Sequence, residues 1–199
     1  RAVAGIKVYY DFLNDNGVRE DHPAGSIRLR DRPGREIQLQ DMFSEAELEK
    51  LLGVKQERYK GLEWRNKALI SLLIYQGLRL GEVASLQVED VKLETGRLYI
   101  RATPKSNDRE VELKSSQILL LYWYIQEERP QLLKGREEKI LMVGLRGESM
   151  KADEIGKHIR RSYGHCFGSR KLSAGIIRQS VIANLLKAGH DIRIVQSFA

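Results

Sequence analysis

The stretch YQGLRLGEVASL, residues 75 to 86, places an arginine between two leucines, directly after a glycine suited to ending a helix. Arg79 therefore leaves an apolar run and not a solvated charge patch. Glu82 stands three residues further on, at the spacing of a helical ion-pair partner. A guanidinium held in this way offers a planar fork of N–H donors that matches two oxygens of one phosphate or carboxylate. On these residues alone, a helix-turn-helix DNA binder with Leu78 and Leu80 in its core ranks first.

The whole chain narrows the partner. At 199 residues, 42% apolar and 31% charged, it can bury one good core and carry part of a second domain. No stretch approaches the roughly 20 uninterrupted apolar residues of a membrane-spanning helix, so no membrane partner is expected. The single cysteine, Cys166, excludes an internal disulfide and fits a reducing cytosol. His158, His165 and Cys166 lack a second ligand pair at metal-binding spacing, and neither a metal nor a cofactor is expected. The net charge of +7 points to an anionic partner, and its distribution is more informative than its sum. Four arginines, Arg28, Arg30, Arg32 and Arg35, crowd RLRDRPGR, and from Lys151 to Arg178 seven Lys or Arg face only Asp153 and Glu154. Two separated basic segments suit a phosphate backbone gripped from more than one side, although either run alone would pass for a solvated face.

The elements that must position these groups follow from periodicity and punctuation. Residues 2 to 16 read as a helix stopped at Asn16-Gly17, which places the start of the chain inside a helix and marks it as a fragment of a longer protein. Prolines, glycines and arginines without apolar periodicity then read as a linker over 24–40. A capping box, Ser44-x-x-Glu47, opens a helix that stops at Gly53. EWRNKALISLLIYQ places an apolar stripe on a helix ended by Gly77, and EVASL restarts as a short one. The period then changes to that of a three-stranded antiparallel meander: VKLE, RLYIRA and, after the polar turn TPKSND, REVEL. A helix capped by Ser115 or Ser116 should run through the apolar ILLLYWYI to near Pro130 and be largely buried. KILMVG reads as extended, KADEIGKHIRRSYG and IIRQSVIANLLKAG as helices, the second closed by Gly189, with Asp191 capping a last one. The fold class is α+β, mainly helical, with a small three-stranded sheet.

Three basic residues occur in a suggestive order: Arg79 in GLRLGE, Lys105 in the hairpin turn of ATPKSNDREVEL, and Arg178 in GIIRQSVIANLLKAGHDIRIVQ. In order and spacing this resembles the tyrosine recombinases, the phage integrase family, from the linker to the last residue. The resemblance implies residues 1–23 as the last helix of a core-binding domain, 24–40 as an interdomain linker and 41–199 as the catalytic domain. It implies site-specific DNA recombination or integration, in which a tyrosine attacks the scissile phosphate to form a 3′-phosphotyrosyl link. Arg79 and Arg178 would hold the non-bridging oxygens of a phosphorane that carries extra negative charge, and Glu82 would support Arg79. Lys105 would protonate the leaving 5′-oxygen; Lys92 and Arg101 compete for that role but lie outside the turn. Arg28, Arg30, Arg32, Arg35, Arg109 and Lys171 would contact DNA, Arg109 alternatively being a strand-edge charge.

Two departures from the family pattern stand out. The family usually shows His-x-x-Arg, and the histidine position three residues before Arg178 is Gly175, for which His165 or Lys171 could substitute in space. This departure keeps open a non-catalytic DNA-binding regulator on the same scaffold. In addition, all eight tyrosines precede Arg178, whereas the family's nucleophile follows the second arginine. The resemblance therefore implies a fragment that binds double-stranded DNA without cutting it, monomeric alone, with an apolar groove where the missing segment belongs. The full-length protein would form a homo-tetramer on DNA, in the cytoplasm at the nucleoid.

Overall fold

The computed structural model describes residues 2–26, 41–54, 60–104, 106–193 and 195. The arginines expected to track DNA from the linker (Arg28, Arg30, Arg32, Arg35), most of the 24–40 linker itself and Lys105 lie outside the described residues. The chain divides into two compact units, Arg1–Glu36 and Ile37–Ala199. The first holds helix α1, Ala2–Asp15. It ends as its sequence predicts: Gly17 takes φ +65° and the Val18 N–H returns to the Leu13 carbonyl at 3.0 Å. Ile6, Tyr9 and Phe12 on this helix are exposed.

The second unit is mainly helical. Its helices are α2 (Glu45–Lys50), α3 (Glu63–Gln76), α4 (Leu80–Ser85), α5 (Ser115–Trp123), α6 (Arg129–Leu133), α7 (Ala152–Tyr163) and α8 (Ala174–Lys187). Strands β1 (Val91–Lys92), β2 (Arg97–Ile100) and β3 (Arg109–Glu112) form the expected antiparallel meander, with Leu98 opposite Val91 and Val111 and with Arg109 opposite Ile100. The capping box of α2 is present: Ser44 Oγ accepts from the Glu47 N–H at 3.3 Å, and the Glu47 carboxylate accepts from the Ser44 N–H at 2.9 Å. Glu47 also pairs with Arg170. That guanidinium, followed by the Ser44 hydrogen bonds, lowers the carboxyl pKa to about 2.

Helix α3 is the central element. It is buried on nearly every side, from Ala68 to Ile74, and packs against both α5 and α8. No local residue caps its start. The buried Glu128 carboxylate accepts the N–H groups of Trp64 (3.2 Å) and Arg65 (2.6 Å), so a residue 63 positions away satisfies donors that the helix leaves open.

Two expectations need correction. The run ILLLYWYI is not largely buried: Leu119, Tyr122 and Trp123 are exposed, whereas Gln117 is fully enclosed and bonds Gln76 at 2.8 Å. Because α5 packs on α3, Gln117, Leu121 and Tyr124 face inward, and Leu119, Tyr122 and Trp123 between them stay in solvent. Nor does the helix stop near Pro130. It passes through a π turn, Tyr124–Glu128, into α6, and ends where Lys134 and Gly135 both take positive φ. The missing proline N–H is tolerated because Pro130 falls in the first turn after the bulge.

The segment KILMVG, residues 139–144, pairs through isolated bridges, Gln87 with Ile140 and Val143 with Ser149, and not in a sheet ladder. The Lys139 and Met142 carbonyls accept the N–H groups of Val88 and Met150, and side chains take others in and beside this segment. Arg129 donates to Glu138 (2.5 Å) and Ile140 (2.7 Å), Tyr124 to Leu141 (2.7 Å) and Arg65 to Val143 (3.3 Å). His158 on α7 is buried beside this network, within hydrogen-bonding reach of Ser162 Oγ (3.3 Å) and near Arg65 and Arg161. Burial first, and then the two arginines, push its pKa down to about 4 from 6.5.

A histidine held neutral by the fold contributes stability above its unfolded pKa, which is lost as pH falls through the folded value. The urea midpoint should therefore drop between pH 6.5 and 4, by the equivalent of ~3 kcal/mol. His158→Leu should flatten that part of the profile. An unchanged slope in the variant would assign the acid lability elsewhere.

Candidate active site

The site begins at the end of α3. Gly77 takes φ +57°, ψ 34°, a left-handed conformation that turns the chain abruptly. Leu78 then points into the core with no exposed surface, and Arg79, in extended backbone, points out with its side chain about one-third exposed. Alternation between buried and open positions places the charge at the lip of the core. The Arg79 N–H donates to Glu82 Oε2 at 2.9 Å, closing the first turn of α4, and Arg79 Nε lies 3.9 Å from Glu82 Oε1.

Glu82 has no exposed side-chain surface. Its two oxygens receive the guanidinium fork of Arg109 from β3, Nη1 to Oε1 at 2.9 Å and Nη2 to Oε2 at 3.0 Å. The Ser106 hydroxyl, on the β2–β3 turn, bonds it as well. Burial alone would raise this carboxyl's pKa, but the Arg109 fork, the Arg79 N–H and Ser106 together bring it below the ordinary value, so Glu82 is ionised at neutral pH.

Arg178 reaches the same place from α8. Its guanidinium donates to the Gly77 carbonyl, two residues before Arg79. Its pKa is lowered by burial, by the Arg79 charge and by Arg109, and raised by Glu82, so all four groups share one electrostatic neighbourhood. An arginine so shifted is still a cation at neutral pH. Three guanidinium charges less one carboxylate leave the cluster at +2, partly buried and open on the Arg79 side. Such a cluster is suited to an oxyanion that gains charge during reaction, because its dipoles and charges are in place beforehand.

The remaining sequence-predicted residues are dispersed. Gly175 lies exposed in the first turn of α8, where an added Cβ would meet nothing closer than Ser173 Oγ at 3.8 Å. Lys171 is exposed just before that helix, and His165 is exposed in the turn after α7. Lys92 is exposed on β1, and Arg101 is engaged by Asp90 (2.8 Å) and Glu89 (2.7 Å). Cys166 is half-buried, its thiol pKa raised by burial, whereas His158 belongs to the buried network on α7. The pairing of Arg109 with Glu82 spans 27 residues and carried no local signal in the sequence.

A family model described as the phage integrase family matches residues 41–199. The chain belongs to the phage integrase family. It is 30% identical over 199 residues to the tyrosine recombinase XerD of Proteus mirabilis, covering 98% of this chain and 61% of that protein. It is also 30% identical to the XerD of Staphylococcus epidermidis, covering 65% of it. The chain thus spans less than two-thirds of these relatives. Among solved structures it resembles the XerH site-specific recombinase bound to its difH substrate in a pre-cleavage complex, at 26% identity and a TM-score of 0.67, covering 79% of this chain and 46% of that one. The XerA recombinase shares the fold, with a TM-score of 0.68 over 97% of this chain and 64% of that one, at 23% identity. The mainly helical domain with a three-stranded sheet is the catalytic-domain fold of this integrase family.

The Gly77 elbow can be tested by itself. A Cβ there would face the penalty of a left-handed backbone and meet Val181 Cγ1 at 3.4 Å. Gly77→Ala should lower stability by ~1–2 kcal/mol, read as a lower urea midpoint at unchanged m. A midpoint equal to that of the parent would contradict the assigned geometry.

Proposed function

We propose that this chain supplies the phosphate-activating machinery of a site-specific tyrosine recombinase acting on double-stranded DNA. The observation that carries this reading is the convergence of Arg79 and Arg178 on one partly buried, net-positive cluster organised by Glu82. In the proposed step a tyrosine hydroxyl releases its proton to solvent as its oxygen attacks phosphorus, the P–O5′ bond breaks, and the departing oxygen takes a proton from a general acid. The phosphorane gains a negative charge in doing so, and the two guanidinium forks supply donors for its non-bridging oxygens. Lys105, from the β2–β3 turn, is the proposed proton donor.

None of the eight tyrosines is the proposed nucleophile. Tyr124 and Tyr163 are buried, with pKa values raised by desolvation, and Tyr75 and Tyr99 are bonded to Glu49 and Asp108. The 199-residue chain by itself is proposed to bind duplex DNA, as a monomer, and leave it uncut. The full-length protein would act as a tetramer on DNA at the nucleoid. Arg28, Arg30, Arg32, Arg35 and Lys171 are proposed backbone contacts, each steepening the salt dependence of binding by about one counterion. At Gly175 the family's histidine is missing, and the proposal assigns a slower chemical step, not a different class of protein.

The test is covalent trapping. The full-length protein, incubated with nicked duplex carrying its site, should give a protein–DNA adduct on a denaturing gel. Arg178→Ala should slow adduct formation by ~10²–10³-fold, and Arg178→Lys should recover little, since an ammonium cannot fork. Absence of an adduct from the parent protein on any substrate would favour the non-catalytic regulator.

The open space at Gly175 gives a gain-of-function test. Gly175→His should fit without displacing a neighbour and raise the rate of adduct formation by ~10-fold or more. An unchanged rate would show that this position takes no part in the reaction.

A further inference from the structure

The Arg109 guanidinium is committed to a single partner. Both terminal nitrogens go to one carboxylate, at 2.9 and 3.0 Å, and its side chain is 15% exposed against 35% for Arg79. Its Nε–H is buried as well. Little of the group is offered outward to a phosphate. Its position in the chain matters more: Arg109 opens β3, at the end of the turn that begins after Ile100, and that turn carries position 105. Glu82, its partner, sits in the first turn of α4 and holds the Arg79 N–H. Ser106, next to position 105, bonds the same carboxylate.

We propose that Arg109 is a positioning residue, which fixes the β2–β3 turn to the start of α4 through Glu82 and so sets the distance between the Lys105 acid and the Arg79–Arg178 pair, and that it is not a DNA-backbone contact. The inference rests on the recombinase reading above for the role of Lys105, but the tether itself does not. A forked bond suits this task because two parallel N–H···O contacts define an orientation as well as a distance, and a fully buried carboxylate left without them would be an unpaired charge. The β2–β3 ladder runs from the Arg97–Glu112 pair to the Ile100–Arg109 pair, and beyond it, among the described residues, the turn's backbone pairs only within itself, so it needs another restraint to hold it to the helices. The Thr103–Ser106 bridge closes the turn on itself, and Glu82 attaches it to the core.

Three measurements test the proposal, on Arg109→Gln and on Arg109→Lys, the latter keeping the charge in case the neutral variant does not fold. In the 199-residue chain, amide exchange over 101–108 and at Leu80–Glu82 should speed by about tenfold or more in both variants, with α5 and α8 unchanged. The slope of log Kd for duplex DNA against log salt should equal that of the parent. A slope reduced by about 0.9 in Arg109→Gln, the loss of one phosphate contact, would overturn the proposal, and so would unaltered exchange in the turn. In the full-length protein, Arg109→Lys should slow adduct formation by ~10–100-fold on the normal ester. It should recover on a substrate whose scissile 5′-oxygen is replaced by sulfur, because a thiolate departs without a proton. Arg178→Ala should not recover in this way, and failure of Arg109→Lys to recover would place its effect outside the leaving-group step. If the parent protein forms no adduct at all, the recombinase reading fails, while exchange and salt slope still decide whether Arg109 is a tether or a phosphate contact.

Discussion

A carboxylate with no solvent-exposed surface dictates the architecture of this domain. Glu82 must find hydrogen-bond donors inside the protein or lose its charge, and the donors that satisfy it come from separate elements: the backbone of Arg79 before α4, the fork of Arg109 on β3, and Ser106 in the preceding turn. The sheet is small, and its edge would otherwise lie loosely on the helices. Its attachment to the helical layer at this point is electrostatic. The same ionised group offsets one of three nearby positive charges, which allows Arg79, Arg109 and Arg178 to share a confined space.

A second buried carboxylate does the corresponding work at the other end of α3. Glu128, on the π turn, accepts the first N–H groups of that helix, and Arg65 reaches from there to the carbonyl of Val143. Unlike Glu82, it has no guanidinium fork. Burial dominates and its pKa is raised, although the backbone donors and Arg65 oppose the shift. The comparison separates two uses of a buried acid. One terminates a helix and holds extended carbonyl-rich chain against it. The other assembles a cation cluster at the helix's far end, where the Gly77 elbow presents a carbonyl to Arg178 and a side chain to solvent within three residues. Helix α3 is thus a rigid spacer between a structural polar core and the site.

Most of the helices were legible because their signals are local. The Ser44–Glu47 box and the stop at Gly77 each act within four residues of their cause. The meander was legible from its change of period. The course of α5 and α6 was not, because apolar composition does not reveal which face of a helix meets the core. The pattern ILLLYWYI looks buried throughout, yet within it only Leu121 and Tyr124 are enclosed, together with the preceding Gln117, whose partners Gln76 and Ser71 lie more than 40 positions away. Within the site, Arg79 and Glu82 could be paired from their spacing alone. Arg178 could be joined to them only through a resemblance. The contact of Arg109 with Glu82 could not be read at all, since a strand-edge arginine, a phosphate-binding arginine and a tether have the same sequence appearance.

The distribution of burial among the three arginines separates holding from acting. A guanidinium committed to a buried carboxylate loses freedom and reach, as Arg109 does. Arg178 bonds a backbone carbonyl, and the Glu82 charge acts on it through space. Arg79 gives its backbone N–H to the carboxylate, holds its Nε 3.9 Å from it, and leaves about a third of its side chain exposed. Placing the acid's forked bond on Arg109, the less exposed of the two, and its backbone bond on Arg79 lets one negative charge organise the cluster while the more exposed arginine stays at its rim. Had the fork of Arg79 taken the place of Arg109 on Glu82, the net charge of the cluster would be the same. The more exposed arginine would then be drawn inward, and the site's opening toward an oxyanion would narrow through geometry alone.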